Sequence, residues 1–255
     1  MATILGRSSR RAWSPTLTRE VAPGIHRLTH ASINCYLIED GPRLALVDAA
    51  LPATWPHVKR AIRALGHTVD DVEAILLTHA HPDHLGFAHR AQLEWDVPVL
   101  AHEQETSRAA SPGGSGSERP PLFGSLRHRR AMTLLMVWAR AGALRVEPVT
   151  ELEHLDDGAT LDLPGRPTVV FTPGHTGGHC AFHYRAASAL IAGDALVTLN
   201  PLGGATGPQL LTGADRELAL HSLGALVATE AAIVLPGHGT SWRNGIASAV
   251  ELAGR

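Results

Sequence analysis

An apolar run, Val72–Leu77, interrupted only by Glu73, leads into Thr78 and then His79-Ala80-His81-Pro82-Asp83-His84. The run predicts a strand buried on both faces, as in the parallel part of an α/β sheet. The cluster at its end falls where open α/β architectures place ligand sites. Three histidines and an aspartate within six residues are costly to bring together unless a cation neutralises and orients them. In a loop, His79 and His81 can converge on one ion as alternate residues, while the adjacent Asp83-His84 pair faces another. A catalytic metal typically takes three protein ligands and keeps a position open for water, so this cluster alone is too small to close two sites. His175, Asp194 and His238 are candidates for the rest, each in a glycine-containing turn after an apolar strand. Polar residues after strands are also ordinary turn chemistry, so each of these three is weak when taken singly.

The rest of the chain gives the cluster a frame. Ile25–Thr29, Ile33–Glu39 and Leu44–Asp48 read as strands, with Asp40-Gly41 as a hairpin turn. Trp55, Val58, Ile62 and Leu65 fall at helical spacing before a stop at Gly66. A helix is predicted over Leu85–Trp95 and a short strand over Val97–Ala101. Leu161–Leu163, Thr168–Phe171, Cys180–Tyr184, Ala189–Ala192 and Ile233–Leu235 read as further strands. Helices are expected over Asp215–Ala228 and at the C-terminus. Strands then helix, twice over, suggests two sheets with helices outside them in one α/β domain.

Composition narrows the function classes. Of 255 residues, 44% are hydrophobic and 18% charged, which is a globular balance. The formal charge of −2 argues against a protein built to coat nucleic acid or an anionic membrane. Two cysteines, Cys35 and Cys180, cannot form a disulfide framework, and Cys180 reads as core. No run approaches the roughly 20 apolar residues of a membrane span. The start, with Arg7, Arg10 and Arg11 after a short apolar piece, reads as a disordered tail over residues 1–20 rather than a targeting peptide. The expectation is a cytoplasmic protein with one domain over 21–255 and a small-molecule substrate.

At this point the sequence resembles the metallo-β-lactamase-fold superfamily over roughly Gly24 to Trp242. The motifs fall in that family's order: Asp48 after the third strand, the His79–His84 cluster, His175 in Thr-Pro-Gly-His-Thr-Gly-Gly-His, Asp194 in Ala-Gly-Asp-Ala-Leu, and His238 in Pro-Gly-His-Gly. The resemblance implies a four-layer αββα sandwich. It implies one metal on His79, His81 and His175, a second on Asp83, His84 and His238, and Asp194 bridging both. Asp48 would orient a ligand. The ions would be divalent, zinc first, with iron or manganese fitting the same donors. A hydroxide shared by the two ions would attack the substrate, with Asp83 and Asp194 as the catalytic carboxylates. His179 reads as an outer-shell residue or proton donor, and His102 and His183 as structural.

Within the superfamily, an aspartate at position 194 departs from true β-lactamases, which usually carry Cys or Ser there. The set is similar to the glyoxalase II-like and lactonase-like branches. Val197 stands where quorum-quenching lactonases place a tyrosine, and Ile246–Arg255 is too short for the helical extension of glyoxalase II. His81 stands against the flavodiiron branch. Specificity is assigned to an insertion over Glu103–Val149, which contains the flexible Ser111–Ser117 linker and a helix over Ser125–Ala141. Met132, Leu135, Met136 and Trp138 would form a lid for an apolar acyl part; the bland readings are core packing or a homodimer contact. Arg127, His128, Arg129 and Arg130 either meet a substrate anion or form a solvated face. Asn200, with Pro201, would line the mouth. The function expected is a dinuclear hydrolase of an ester, thioester or lactone. An iron-dependent persulfide dioxygenase is the alternative. A phosphodiesterase or nuclease, or β-lactam hydrolysis as a minor activity, ranks behind it.

Overall fold

The computed structural model describes residues 13–113, 129–211 and 213–254. Among these, seven strands form one sheet in sequence order: β1 (Thr16–Ala22), β2 (Ile25–His30), β3 (Ile33–Asp40), β4 (Arg43–Val47), β5 (Val72–Leu76), β6 (Val99–Ala101) and β7 (Glu153–His154). The first four are antiparallel neighbours, and β4 to β7 run parallel. Parallel pairing needs crossovers. These carry α1 (Trp55–Leu65), the single turn α2 (Pro82–Leu85) with α3 (Ala88–Trp95), and α4 (Thr106–Ala110) with α5 (Arg129–Arg140). The second sheet has the order β13-β10-β9-β8, from β8 (Thr168–Phe171), β9 (Cys180–Tyr184), β10 (Ala189–Gly193) and β13 (Ile233–Pro236). A separate ribbon pairs β11 (Val197–Leu199) with β12 (Thr206–Gln209), and α6 (Arg216–Val227) and α7 (Ile246–Ala253) complete the chain.

The period-2 alternation of strand side chains explains the layering. In β3, Cys35 and Leu37 join the apolar cluster that holds Trp55, Val58 and Ile62 of α1. Tyr36 and Ile38 point the other way, into a cluster shared with Phe182, Tyr184 and Ile191 of the second sheet. In β10 the alternation repeats: Ile191 faces the first sheet, while Leu190 packs with Leu223 of α6 and Ile246 of α7. Both faces of both sheets are therefore buried, and the molecule is an αββα sandwich. Complete burial of each such side chain contributes about 1.5–3 kcal/mol.

The structure corrects several boundaries. The chain is ordered before residue 21: β1 begins at Thr16 and pairs Thr16 with Thr29 and Thr18 with Arg27. This edge strand is half-exposed, and its polar Thr-Leu-Thr-Arg-Glu sequence hides the strand period; residues 1–12 lie outside the described part. The helix expected over Leu85–Trp95 is interrupted at Gly86. Gly86 N–H donates to the Ala50 carbonyl at 2.9 Å, and a Cβ there would collide with that oxygen. Leu161–Leu163 is a loop held by Leu161 N–H on the Pro167 carbonyl, not a strand. Both of its leucines still pack against the inter-sheet core, which is why the alternation looks strand-like. The described part of the helix expected over Ser125–Ala141 is α5. Residues 114–117 of the linker, and Arg127 and His128, lie outside the described residues. Among the described residues no helix is long and apolar enough to cross a membrane.

Candidate metal centre

The strand ends deliver the polar residues to one edge of the sandwich. Asp48 follows β4 in the left-handed region, φ +64°, a conformation Asp tolerates better than most residues. It ties down the next loop: Oδ1 accepts the Thr78 N–H at 2.8 Å, and Oδ2 accepts the Nδ1–H of His84 at 2.9 Å. The Thr78 hydroxyl is 3.0 Å from Asp48 and 3.0 Å from His79 Nδ1. Its single proton goes to the carboxylate, so its oxygen accepts from His79 Nδ1. Pro82 at the first position of α2 suits a fixed φ and turns the chain, so His79 and His81 precede the turn while Asp83 and His84 lie within it.

The second sheet supplies the other side. His175 Nδ1–H donates to the Leu211 carbonyl at 3.1 Å, and His238 Nδ1–H to the Ser32 carbonyl at 2.8 Å. Asp194 is held through its backbone, its N–H donating to His179 Nε2 at 3.1 Å. His179 must then carry its proton on Nδ1, which donates to Thr172 Oγ1 at 2.7 Å. Both ring nitrogens of His179 are occupied and the ring is buried, so it positions Asp194 and is not placed to give a proton to a leaving group.

These outward hydrogen bonds turn the Nε2 atoms of His79, His84, His175 and His238 inward. His81 Nδ1 lies 3.0 Å from His79 Nε2 and 3.0 Å from His175 Nε2. A His81 Nδ1–H has one proton to share between two lone-pair nitrogens, whereas a cation would meet all three. Asp194 Oδ2 is 3.3 Å from His238 Nε2, 3.5 Å from His84 Nε2 and 3.6 Å from His175 Nε2. Asp83 Oδ2 is 3.4 Å from His238 Nε2. The buried atoms His84 Nε2 and Asp194 Oδ1 have no hydrogen-bond partner, an expensive arrangement that a bound ion would relieve. Ligand atoms lie within 4.8 Å of one another in three groups: His79, His81 and His175; His79, His84 and Asp194; and Asp83, His84 and His238.

The electrostatics divide the cluster. Burial and then the neighbouring imidazoles push His79 well down and His175 to about 4, which leaves neutral rings with free lone pairs. Burial also works against charge on His84 and His238. There it is overcome, by Asp194, Asp48 and Asp83 at His84, and by Asp194 and Asp83 at His238, which rises to about 10. Burial would raise Asp83, but His84 and His238 hold it at about 2. The carboxylates thus demand positive charge at this spot, and without another source they take it from protonated rings.

The residues proposed to meet substrate divide differently. Trp138 stacks on His238, with ring centroids 6.1 Å apart and planes 20° from parallel. With Trp138 on that side, helical geometry turns Met136 away by about 200°. Met136 is 47% exposed and lines a shallow surface depression with Ala139, Arg140 and Arg145. Met132 is half-buried and also lies off the Trp138 face, while Leu135 flanks it; Ala131 and Leu134 form the buried side. Asn200 closes its own turn, Oδ1 accepting the Gly203 N–H at 2.8 Å. Arg130 packs over Gly204, where a Cβ would come within 2.9 Å of its Cδ. Sequence reading also missed partners that act through backbone groups, Ser32 and Leu211, and a buried carboxylate from a distant turn, Glu105.

Fold and cluster together define an αββα protein with a histidine- and aspartate-rich centre at the edge where its two sheets meet. The model of the metallo-beta-lactamase superfamily matches residues 28–238, and the chain belongs to that superfamily. It is 28% identical over 252 residues to the probable metallo-hydrolase YflN of Bacillus subtilis strain 168, covering 92% of each chain. Among solved structures, it is 26% identical to the metallo-beta-lactamase family protein TTHA1429 of Thermus thermophilus, with a TM-score of 0.64 over 94% of this chain and 77% of that one. It is 27% identical to TTHA1623, solved in a di-iron-bound form, with a TM-score of 0.58 over 85% of this chain and 92% of that one.

Proposed function

We propose that the chain is a metal-dependent hydrolase with a dinuclear centre. His79, His81 and His175 would hold one ion, Asp83, His84 and His238 would hold the other, and Asp194 would serve both. The observation that carries this is the inward convergence of ring nitrogens whose other nitrogens are committed to Thr78, Asp48, Leu211 and Ser32. When bound, a pair of divalent cations supplies a hydrolytic nucleophile near neutral pH and charge for a developing oxyanion. Asp83 and Asp194 present carboxylate oxygens that accept hydrogen bonds from the attacking water and fix its direction. Asp48 and His179 hold His84 and Asp194 in place. Trp138 forms an apolar wall beside His238, which favours a substrate whose acyl part is apolar.

The substrate class that fits is an ester, thioester or lactone, in the manner of the glyoxalase II-like branch, with zinc the foremost metal and iron or manganese compatible with the same donors. The di-iron form of TTHA1623 makes metal content the first measurement. Elemental analysis of the purified protein, followed by a screen across thioesters, lactones, phosphodiesters and β-lactams, tests the reading. Two ions per chain with turnover of thioesters or lactones is expected. A single iron with oxygen uptake on a persulfide would replace the reading with a sulfur dioxygenase.

A further inference from the structure

Glu105 is 1% exposed, as deeply buried as Asp48, and it lies at the root of the insertion. It belongs to a short 3-10 turn, Glu103–Glu105, set by His102, whose ring accepts the Gln104 N–H at 3.3 Å. Its two carboxylate oxygens are used differently. Oε2 accepts the backbone N–H of Ala80 at 2.9 Å, and Oε1 accepts the backbone N–H of Gly178 at 2.8 Å. Ala80 lies between His79 and His81, and Gly178 lies three residues after His175. One carboxylate therefore joins the two loops that carry His79, His81 and His175. Arg108 Nε, at 3.5 Å, is a cation partner from within the same segment. Glycine at 178 allows the close approach: a Cβ there would lie 2.8 Å from Glu105 Cγ.

Three of the other four ligands have orienting partners of their own. His84 is held by Asp48, His238 by the Ser32 carbonyl, and Asp194 by His179. From this division we infer that Glu105 is a positioning residue that sets the spacing of the His79/His81 loop against the His175 loop, and so governs the ion held by His79, His81 and His175 more than its neighbour. The inference rests on the dinuclear reading above. A buried carboxylate that accepts two backbone N–H groups gains charge-assisted hydrogen bonds. Removing it leaves both donors buried and unpaired, and each loop free to shift.

The test is a zinc titration in competition with a chromophoric chelator, on wild type, Glu105→Ala and Glu105→Gln, with thermal unfolding of each metal-free protein as the fold control. In wild type two zinc affinities are resolved. In Glu105→Ala one of them weakens about 10- to 100-fold, the usual effect of losing an outer partner, while the other stays within a few-fold. Glu105→Gln falls between: its amide oxygen accepts one N–H, and its NH2 opposes the other. If Glu105→Ala does not fold, the same comparison is read from Glu105→Gln. Equal weakening of both affinities, or none, overturns the inference. A wild type that binds only one zinc overturns the dinuclear reading instead.

Discussion

Trp138 is tied to the site by two contacts on opposite elements: its ring stacks on His238, and its indole N–H donates to the Ala31 carbonyl at 2.9 Å. Ala31 adjoins Ser32, whose carbonyl holds His238. At the other end of α5, Arg130 rests on the β11–β12 turn. The helix thus spans from the first sheet's β2–β3 turn to the separate β11–β12 ribbon. Trp138→Phe keeps an aromatic wall and loses the Ala31 tether, and Trp138→Ala loses both. We expect KM for apolar acyl substrates to rise about tenfold in Trp138→Ala, roughly the value of one well-placed apolar contact, with a smaller rise in Trp138→Phe. Steady-state kinetics with short- and long-chain thioesters would check this; an unchanged chain-length preference would contradict the wall.

Asp48→Asn offers a test of tautomer control. The amide oxygen can still accept the Thr78 N–H, but its NH2 then faces His84 Nδ1 and forces that nitrogen to accept. The ring's proton moves to Nε2, which removes the inward lone pair. Affinity for the ion on His84 should fall at least tenfold, and the Tm of the metal-free protein should fall as well, because a protonated His84 loses a buried charged partner. Chelator competition and a thermal melt check both halves.

Gly237→Ala should damage the centre and little else. Its φ is not positive, yet a Cβ there would collide with Asp194 Oδ1 and lie 2.8 Å from His84 Cε1. Asp194 must move aside. Metal content and turnover should fall together while far-UV circular dichroism stays unchanged.

The thiols should be inert. Burial first, and then Asp157 and Glu105, push Cys180 up to about 12, and burial likewise raises Cys35. The thiolate is the reactive form. Native protein at about pH 8 should resist iodoacetamide, and denatured protein should take up two labels, by mass spectrometry.

His30 should make stability pH-dependent away from the centre. Burial and then His57 lower it to about 4, against 6.5 for a free ring. Its folded-state value lies below its unfolded value, so its contribution is fully present above 6.5 and is lost as pH falls towards about 4. Urea melts of metal-free wild type and His30→Gln at about pH 7.5 and about pH 5 should show a smaller loss on acidification in the variant. Equal losses would contradict the assignment.

The parts of the fold legible in sequence are those whose side chains are buried on one or both faces. β3, β4, β5, β9 and β10 are nearly continuous apolar runs because a sheet covers one side and helices or the other sheet cover the other. β7 is two exposed residues, Glu153 and His154, recruited by pairing with Leu100 and Ala101, and periodicity has nothing to read there. The ligand-bearing loops were legible because metal chemistry demands particular side chains at strand ends. The groups that orient them were only partly so. Asp48 acts with a side chain in a motif, whereas Ser32 and Leu211 act with carbonyls that any residue could supply. Glu105 reaches its partners from a turn whose position only the tertiary structure determines.

The centre draws His79, His81, Asp83 and His84 from the first sheet and His175, Asp194 and His238 from the second. Ions bound there would act as rivets between two halves of the chain that also meet through apolar packing and buried hydrogen bonds, such as those of Glu105 and of the Ser32 carbonyl. Such binding is available only to the folded state, so each ion would add to the free energy of unfolding according to its concentration relative to its dissociation constant. Adding zinc should therefore raise the midpoint of thermal unfolding steadily well beyond stoichiometry, and a strong chelator should loosen first the edge where the two sheets share ligands.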